Sequence, residues 1–165
     1  LPGIRILQFA FGTDPMRHTF LPESYEDNCV AYTGTHDNDT VVGWFNSKPG
    51  NASTRSAEEI EVERATTLDY FGGDGSEIHM DFIRALYRSA CSAAVVPVQD
   101  LLGLGSEARM NTPGVPSGSW RWRLESFAPL EAAMDELAEL TRITRRGLQA
   151  QGIEESSSCS TATKI

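Results

Sequence analysis

The chain has 165 residues, 40% of them hydrophobic and 22% charged, the balance of a globular domain in water. Its net charge of −9 speaks against nucleic acid as a partner, because phosphate binding wants clustered Lys and Arg. No apolar stretch approaches the ~18 residues needed to cross a bilayer, so no membrane partner is expected.

The first element predicted in chain order is a buried strand at 4–11, IRILQFAF, rich in β-branched and aromatic residues. Pro2 and Gly3 precede it, and Gly12, Asp14 and Pro15 follow. CVAYTGT (29–35) is a second such run. DTVVGWF (39–45) reads as a short helix with Asp39 or Asn38 at its N-cap. Over 57–71 the apolar residues Ile60, Ala65, Leu68 and Phe71 recur near helical spacing. Glu58, Glu59, Glu61 and Glu63 crowd its first half, where the helix dipole favours acid. Gly72 and Gly73 break it.

Residues 76–91 predict another helix, with Ile78, Phe82, Leu86 and Ala90 at four-residue steps behind Ser76 as its N-cap. A third strand lies within 93–104, AAVVPVQDLLGL, although Pro97 is awkward in the middle of a central strand. The last helix is predicted from about Pro129 to Leu148. Leu130, Ala133, Met134, Leu137, Leu140 and Ile143 form its apolar stripe, and Arg142, Arg145 and Arg146 suit its C-terminal end. The serine-rich, aperiodic stretch 149–165 is expected to be a disordered tail.

This alternation is an α/β pattern with parallel strands. Three parallel strands need cover on both faces and normally belong to a larger doubly wound or barrel fold. Barrels run past about 200 residues, so the chain reads as part of such a fold. It opens on Leu1 rather than Met, and its native N-terminus is expected upstream. No basic leader followed by an apolar core is visible. Cys29, Cys91 and Cys159 make neither a CxxC pair nor a metal pattern with the three histidines, and reduced thiols are expected. Cys29 and Cys91 adjoin apolar runs and read as small core residues.

The segment YTGTHDNDT (32–40) concentrates polar chemistry at the exit of the second strand. Three readings compete there. Asp37, Asn38 or Asp39 could simply cap the next helix, which accounts well for Asp39 and less well for His36 beside Asp37. His36, Asp37 and Asp39 could hold a metal, but His18 and His79 offer no ligand-spaced partner. Asp37 could instead be a carboxylate that stabilises positive charge on a sugar, with His36 and Asn38 as hydroxyl partners. In a barrel, the C-terminal ends of strands are where catalytic residues sit.

Trp120 and Trp122, in GSWRWRL, alternate as an extended segment would. Buried packing is the commoner role for such residues, and stacking on sugar faces the other. Residues 103–118, GLGSEARMNTPGVPSG, form a long Gly/Pro loop, a length that is usually functional or mobile. GLG is too short for a phosphate fingerprint. His18 and His79 read as surface or packing residues.

YTGTHDNDTVVGWF, preceded by LPGIRILQFAF and followed by VPVQDLLGLGSEARMNTPG and GSWRWRL, closely resembles the C-terminal part of the 4-α-glucanotransferases, also called amylomaltases or disproportionating enzymes. The four motifs occur in the family's order and cover residues 1 to about 148. LPESY (21–25) stands where a sequence closer to LPHNY is usual, and GSW (118–120) where GNW is usual.

The resemblance implies a (β/α)8 TIM barrel of the α-amylase clan, with 4–11, 29–35 and about 93–99 as its sixth, seventh and eighth strands. It implies transfer of α-1,4-glucan segments between maltooligosaccharides, or to glucose, by a retaining double displacement. A nucleophilic carboxylate and a general acid/base are needed for that chemistry. In the family they lie on the fourth and fifth strands, so both are expected before Leu1. The third carboxylate matches Asp37, as stabiliser of the transition state, and the adjacent histidine matches His36. Asn111 matches a residue of a loop bordering the substrate groove. No metal or cofactor is implied, and cytoplasm or plastid stroma is the expected location. The alternatives are a non-catalytic glucan-binding fragment and a metal-dependent hydrolase built on His36, Asp37 and Asp39.

Overall fold

A computed structural model describes residues 1–50 and 55–146. The proposed tail at 149–165 and Cys159 lie outside the described residues, whereas the last helix, expected to reach Leu148, already ends at Ile143. Three strands, β1 (Gly3–Ile6), β2 (Cys29–Tyr32) and β3 (Ala93–Val95), form one parallel sheet with β2 in the centre. Among the described residues, five α-helices accompany them: α1 (Val41–Phe45), α2 (Ala57–Phe71), α3 (Ile78–Arg88), α4 (Val98–Leu101) and α5 (Ala128–Ile143). The α/β expectation is met, with every strand-to-strand connection a crossover.

Each predicted strand is shorter than its apolar run. β1 stops at Ile6, and Leu7–Ala10 turns as a 3-10 helix. That turn repeats every three residues, so Leu7 and Ala10 fall on one side, and both are fully buried with Phe11. A continued strand would have sent them to opposite faces. β3 ends at Val95, and Pro97 precedes the first turn of α4 in an extended conformation, which resolves its awkward position.

Helix caps depart from expectation in two places. Thr40, not Asp39 or Asn38, caps α1: its hydroxyl accepts from the Gly43 N–H at 3.0 Å. Ser76 does not cap α3; its own N–H donates to Asp74 Oδ1 at 2.9 Å, and Glu77 stands at the N-cap without a side-chain bond. α2 keeps its expected bounds because both ends are chemically marked. Ser56 and Glu59 form a reciprocal capping box, and Gly72 closes the helix with φ of 71°.

The main core lies between the sheet and helices α1 to α3. Phe11 packs against Phe82 with ring centroids 5.5 Å apart and against Trp44 at 6.1 Å. Cys29 and Cys91 are buried there as free thiols, as expected. A second cluster joins Met80, Ile83, Leu101 and Leu140. α5 meets it along a narrower stripe than expected, since Met134 and Ile143 stay exposed. Arg146 lies beyond its own helix and donates to the carbonyls of Tyr87, Ser89 and Cys91, capping the end of α3 instead.

The two faces of the sheet are treated differently. Cys29, Ala31 and Ala94 point into the core. On the opposite face, register aligns Ile4 with Val30 and Ala93, and Ile6 with Tyr32 and Val95. None of these six is buried, and Ile4 and Val95 are 61% and 41% exposed. An apolar face in register, open to water, is half of a core.

Candidate functional site

Thr33, Gly34 and Thr35 carry the chain out of β2 toward α1, and His36 and Asp37 follow at the strand's C-terminal end. Asn38 closes the turn locally. Its N–H donates to the Thr35 carbonyl at 3.1 Å, and its Oδ1 accepts the Thr35 N–H at 2.9 Å and hydroxyl at 2.8 Å. With Asn38 holding the loop and Thr40 capping the helix, Asp37 is left free of both duties. Capping therefore does not explain it.

Asp37 is 55% exposed and His36 57%, side by side, with His36 Nε2 3.5 Å from Asp37 Oδ1. Asn111 Nδ2 donates to the same Oδ1 at 2.6 Å. Arg109 braces both partners through their backbones: Nη2 donates to the Asp37 carbonyl at 2.8 Å and Nε to the Asn111 carbonyl at 2.7 Å. His36, Asp37 and Asn111 are thus brought together. Arg109 escaped the sequence reading, although its position two residues before Asn111 in ARMN was a usable signal.

Asp39 turns away from this group. Its Oδ2 accepts from the Ser106 hydroxyl at 2.7 Å, its Oδ1 from the Thr40 N–H at 2.8 Å, and its carbonyl from Gln8 Nε2 at 2.9 Å. It lines the groove with Asp37, but its carboxylate is spent on fastening the loop. Among the described residues, no group of three or more His, Cys, Asp or Glu side chains is placed to hold a metal ion.

Trp120 is 53% exposed, against the expectation of a core residue. Its φ of 64° is uncommon for a bulky side chain. The ring lies 5.1 Å from the His36 imidazole, tilted by 40°. The backbone N–H of Trp120 closes the 103–118 loop onto the Met110 carbonyl at 2.6 Å. Trp122 is half-buried and joins neither His36 nor Asp37 by a described contact. His18 is exposed, and His79 packs under Gly103 with its Nδ1 buried and unbonded, so both keep the packing or surface role expected.

A groove of about 650 Å³ opens beside Asp37 and runs past Asp39, Arg109 and Trp44 to Phe9 and Phe20. Phe9 and Phe20 meet edge to face at 5.5 Å. Carboxylate, guanidinium and aromatic faces along one trough suit a hydroxyl-rich ligand with apolar ring faces. One further acid lies beneath: Asp100, 2% exposed, whose carboxyl burial pushes above the ordinary carboxylate range. Nothing in the run VQDLLGL marked this carboxylate as buried.

A family model described as 4-alpha-glucanotransferase matches residues 1–129. The chain is 38% identical over 143 residues to a chloroplastic/amyloplastic 4-alpha-glucanotransferase of Solanum tuberosum, covering 84% of this chain and 23% of the relative. It is 40% identical over 146 residues to the 4-alpha-glucanotransferase of Clostridium butyricum, covering 88% and 28%. The solved amylomaltase from Streptococcus agalactiae in complex with acarbose superposes with a TM-score of 0.73 at 30% identity, over 89% of this chain and 28% of that one. The chain thus spans about a quarter of the length of the relatives it matches. No described helix is long and apolar enough to cross a membrane. On the family match and these relatives, with the motifs in order along the same chain, the protein belongs to the 4-alpha-glucanotransferase family.

Proposed function

We propose that residues 1–148 form the C-terminal part of a catalytic (β/α)8 barrel, with β1, β2 and β3 as its sixth to eighth strands. The protein transfers α-1,4-glucan segments between maltooligosaccharides, or to glucose. The apolar sheet face carried by Ile4, Val30, Tyr32 and Val95 supports the barrel reading, since it needs a lumen to fill. The S. agalactiae relative was solved with acarbose, which supports a sugar ligand.

The observation that carries the function is Asp37: an exposed carboxylate at a strand's C-terminal end, held by Asn111 at 2.6 Å over an aromatic-lined groove. In a retaining double displacement, one carboxylate attacks the anomeric carbon and an acid protonates the leaving oxygen. Those two groups come from strands outside this chain. Asp37 supplies the third carboxylate. Its charge opposes the positive charge that develops on the sugar ring, and fixing it in advance lowers the barrier. His36 and Asn111 hold sugar hydroxyls beside it. Carboxylates complete this cycle without metal or cofactor. The proposed location is cytoplasm or plastid stroma.

The test is maltotriose incubated with the full-length protein that contains this chain. Glucose and longer maltooligosaccharides are expected together, and Asp37→Asn is expected to abolish both. Release of shorter products alone, or none, would overturn the reading.

A further inference from the structure

Two loops carry the proposed site: 34–40, with His36 and Asp37, and 109–120, with Asn111 and Trp120. Both must keep their aim although neither is regular structure. The short helix α4 sits beneath them and contributes two adjacent polar side chains, Gln99 and Asp100, both buried. A buried ionisable group that does not touch the groove's open side calls for a physical account.

Asp100 uses both carboxylate oxygens on the two ends of one loop. Thr33, fully buried at the exit of β2, donates its hydroxyl to Oδ2. The Val41 N–H, at the first position of α1, donates to Oδ1 at 2.7 Å. That N–H is one of the donors a helix start leaves without an internal partner. The segment between them is the one bearing His36 and Asp37. Next door, Gln99 Nε2 donates to the Ala108 carbonyl at 3.3 Å, where the segment leading to Arg109 and Asn111 begins. One turn of helix therefore holds the root of each loop.

We infer that Asp100 is a positioning residue for the reaction: it clamps Thr33 and Val41 to one rigid carboxylate and so fixes the direction of Asp37. The inference rests on the proposed role of Asp37. The bonds also tie α4 to the end of β2 and the start of α1, and their placement on those two residues favours positioning. Both fall on the boundaries of the loop that presents Asp37. Burial strengthens the clamp, since no water competes for either oxygen. A displacement of about 1 Å at a reacting centre costs up to about a hundredfold in rate.

The experiment compares transfer kinetics of wild-type full-length protein with Asp100→Ala, Asp100→Asn and Thr33→Val, at a temperature where each is folded by circular dichroism. Asp100→Ala is expected to lower kcat by between about ten- and a hundredfold while KM changes less than about threefold. Asp100→Asn is expected to recover most of that loss. Its amide oxygen still accepts from Val41, and its amide N–H still reaches the Thr33 oxygen. Thr33→Val removes one of the two ties and is expected to lower kcat by a smaller factor.

A folded Asp100→Ala protein with wild-type kcat overturns the inference. So does a variant whose melting temperature falls while kcat stays, or an Asn variant no better than Ala. If Asp100→Ala does not fold, Thr33→Val decides: unchanged kcat overturns, lowered kcat at steady KM supports. A wild type without transfer activity would instead overturn the reading of Asp37, and the two failures are thereby distinguished.

Discussion

Asn111 reaches Asp37 across 74 positions of sequence and donates to its Oδ1 at 2.6 Å. The bond joins the loop after β3 to the loop after β2. It also leaves Oδ2 of Asp37 without a described protein partner, available to the groove.

Graded losses follow from that arrangement. On the role proposed for Asp37, Asp37→Asn is expected to cut kcat by several orders of magnitude with a small change in glucan affinity, because a charge of that role acts only on the transition state. Asn111→Ala and His36→Ala are expected to be milder, about 1–2 kcal/mol each, or about five- to thirtyfold in kcat/KM. Steady-state kinetics on maltooligosaccharides check the order. An Asp37→Asn enzyme of near-normal turnover would refute the assignment.

Trp120 separates stability from function. Glycine relieves a positive φ, a gain of roughly 1 kcal/mol against the lost packing of a half-exposed ring. Trp120→Gly is therefore expected to hold its melting temperature within a few degrees. It is expected to raise KM for maltooligosaccharides several-fold, since stacking contributes about 0.5–1.5 kcal/mol. Unchanged KM would make the exposed indole a bystander.

Gly43 marks the tightest backbone approach at the site. A Cβ there would lie 2.5 Å from Ser106 Oγ, 2.7 Å from Asp39 Oδ1 and 2.8 Å from the Ser106 N. Gly43→Ala must push α1 from the 105–107 turn and disrupt the Asp39–Ser106 bond. The expected cost is about 1–3 kcal/mol of stability, read by denaturant unfolding. A neutral result would mean that the turn yields freely.

His79 carries a pH dependence. Burial lowers its pKa from the ordinary value of 6.5, against the upward pull of Glu77, Glu136 and Asp81. The unfolded chain then binds this proton more readily than the folded one. The stability contribution is full above about pH 6.5 and is lost as pH falls through the lower folded value. Relative to His79→Gln, wild type is expected to lose melting temperature between pH 7 and pH 5. Parallel pH curves for the two proteins would refute it.

The legible parts of the fold share a physical character. α2 was readable to the residue because an acidic first half and a glycine stop are local signals, and its capping box sits within the same turn. The caps of α1 were not. Asn38, Asp39 and Thr40 are three adjacent good candidates, and the choice among them is made by Ser106, 67 positions away. Likewise His36 and Asp37 adjoin in sequence and Asn111 is expected beside the groove, whereas the two bonds of Asp100 leave no local mark. Its partners Thr33 and Val41 lie 67 and 59 positions off, and only folding reveals that they share one carboxylate. Trp120 misled because apolar identity says bury, while its backbone angle says otherwise.

The uncovered sheet face has a consequence for handling the chain alone. Its rows of Ile, Val and Tyr are bordered by β1 and β3, both edge strands with a free row of peptide groups. Such a surface recruits further strands and apolar groups from any neighbour. Expressed alone, the polypeptide is expected to self-associate in proportion to its concentration and to collect in inclusion bodies. Light scattering would show particle size climbing on dilution out of denaturant.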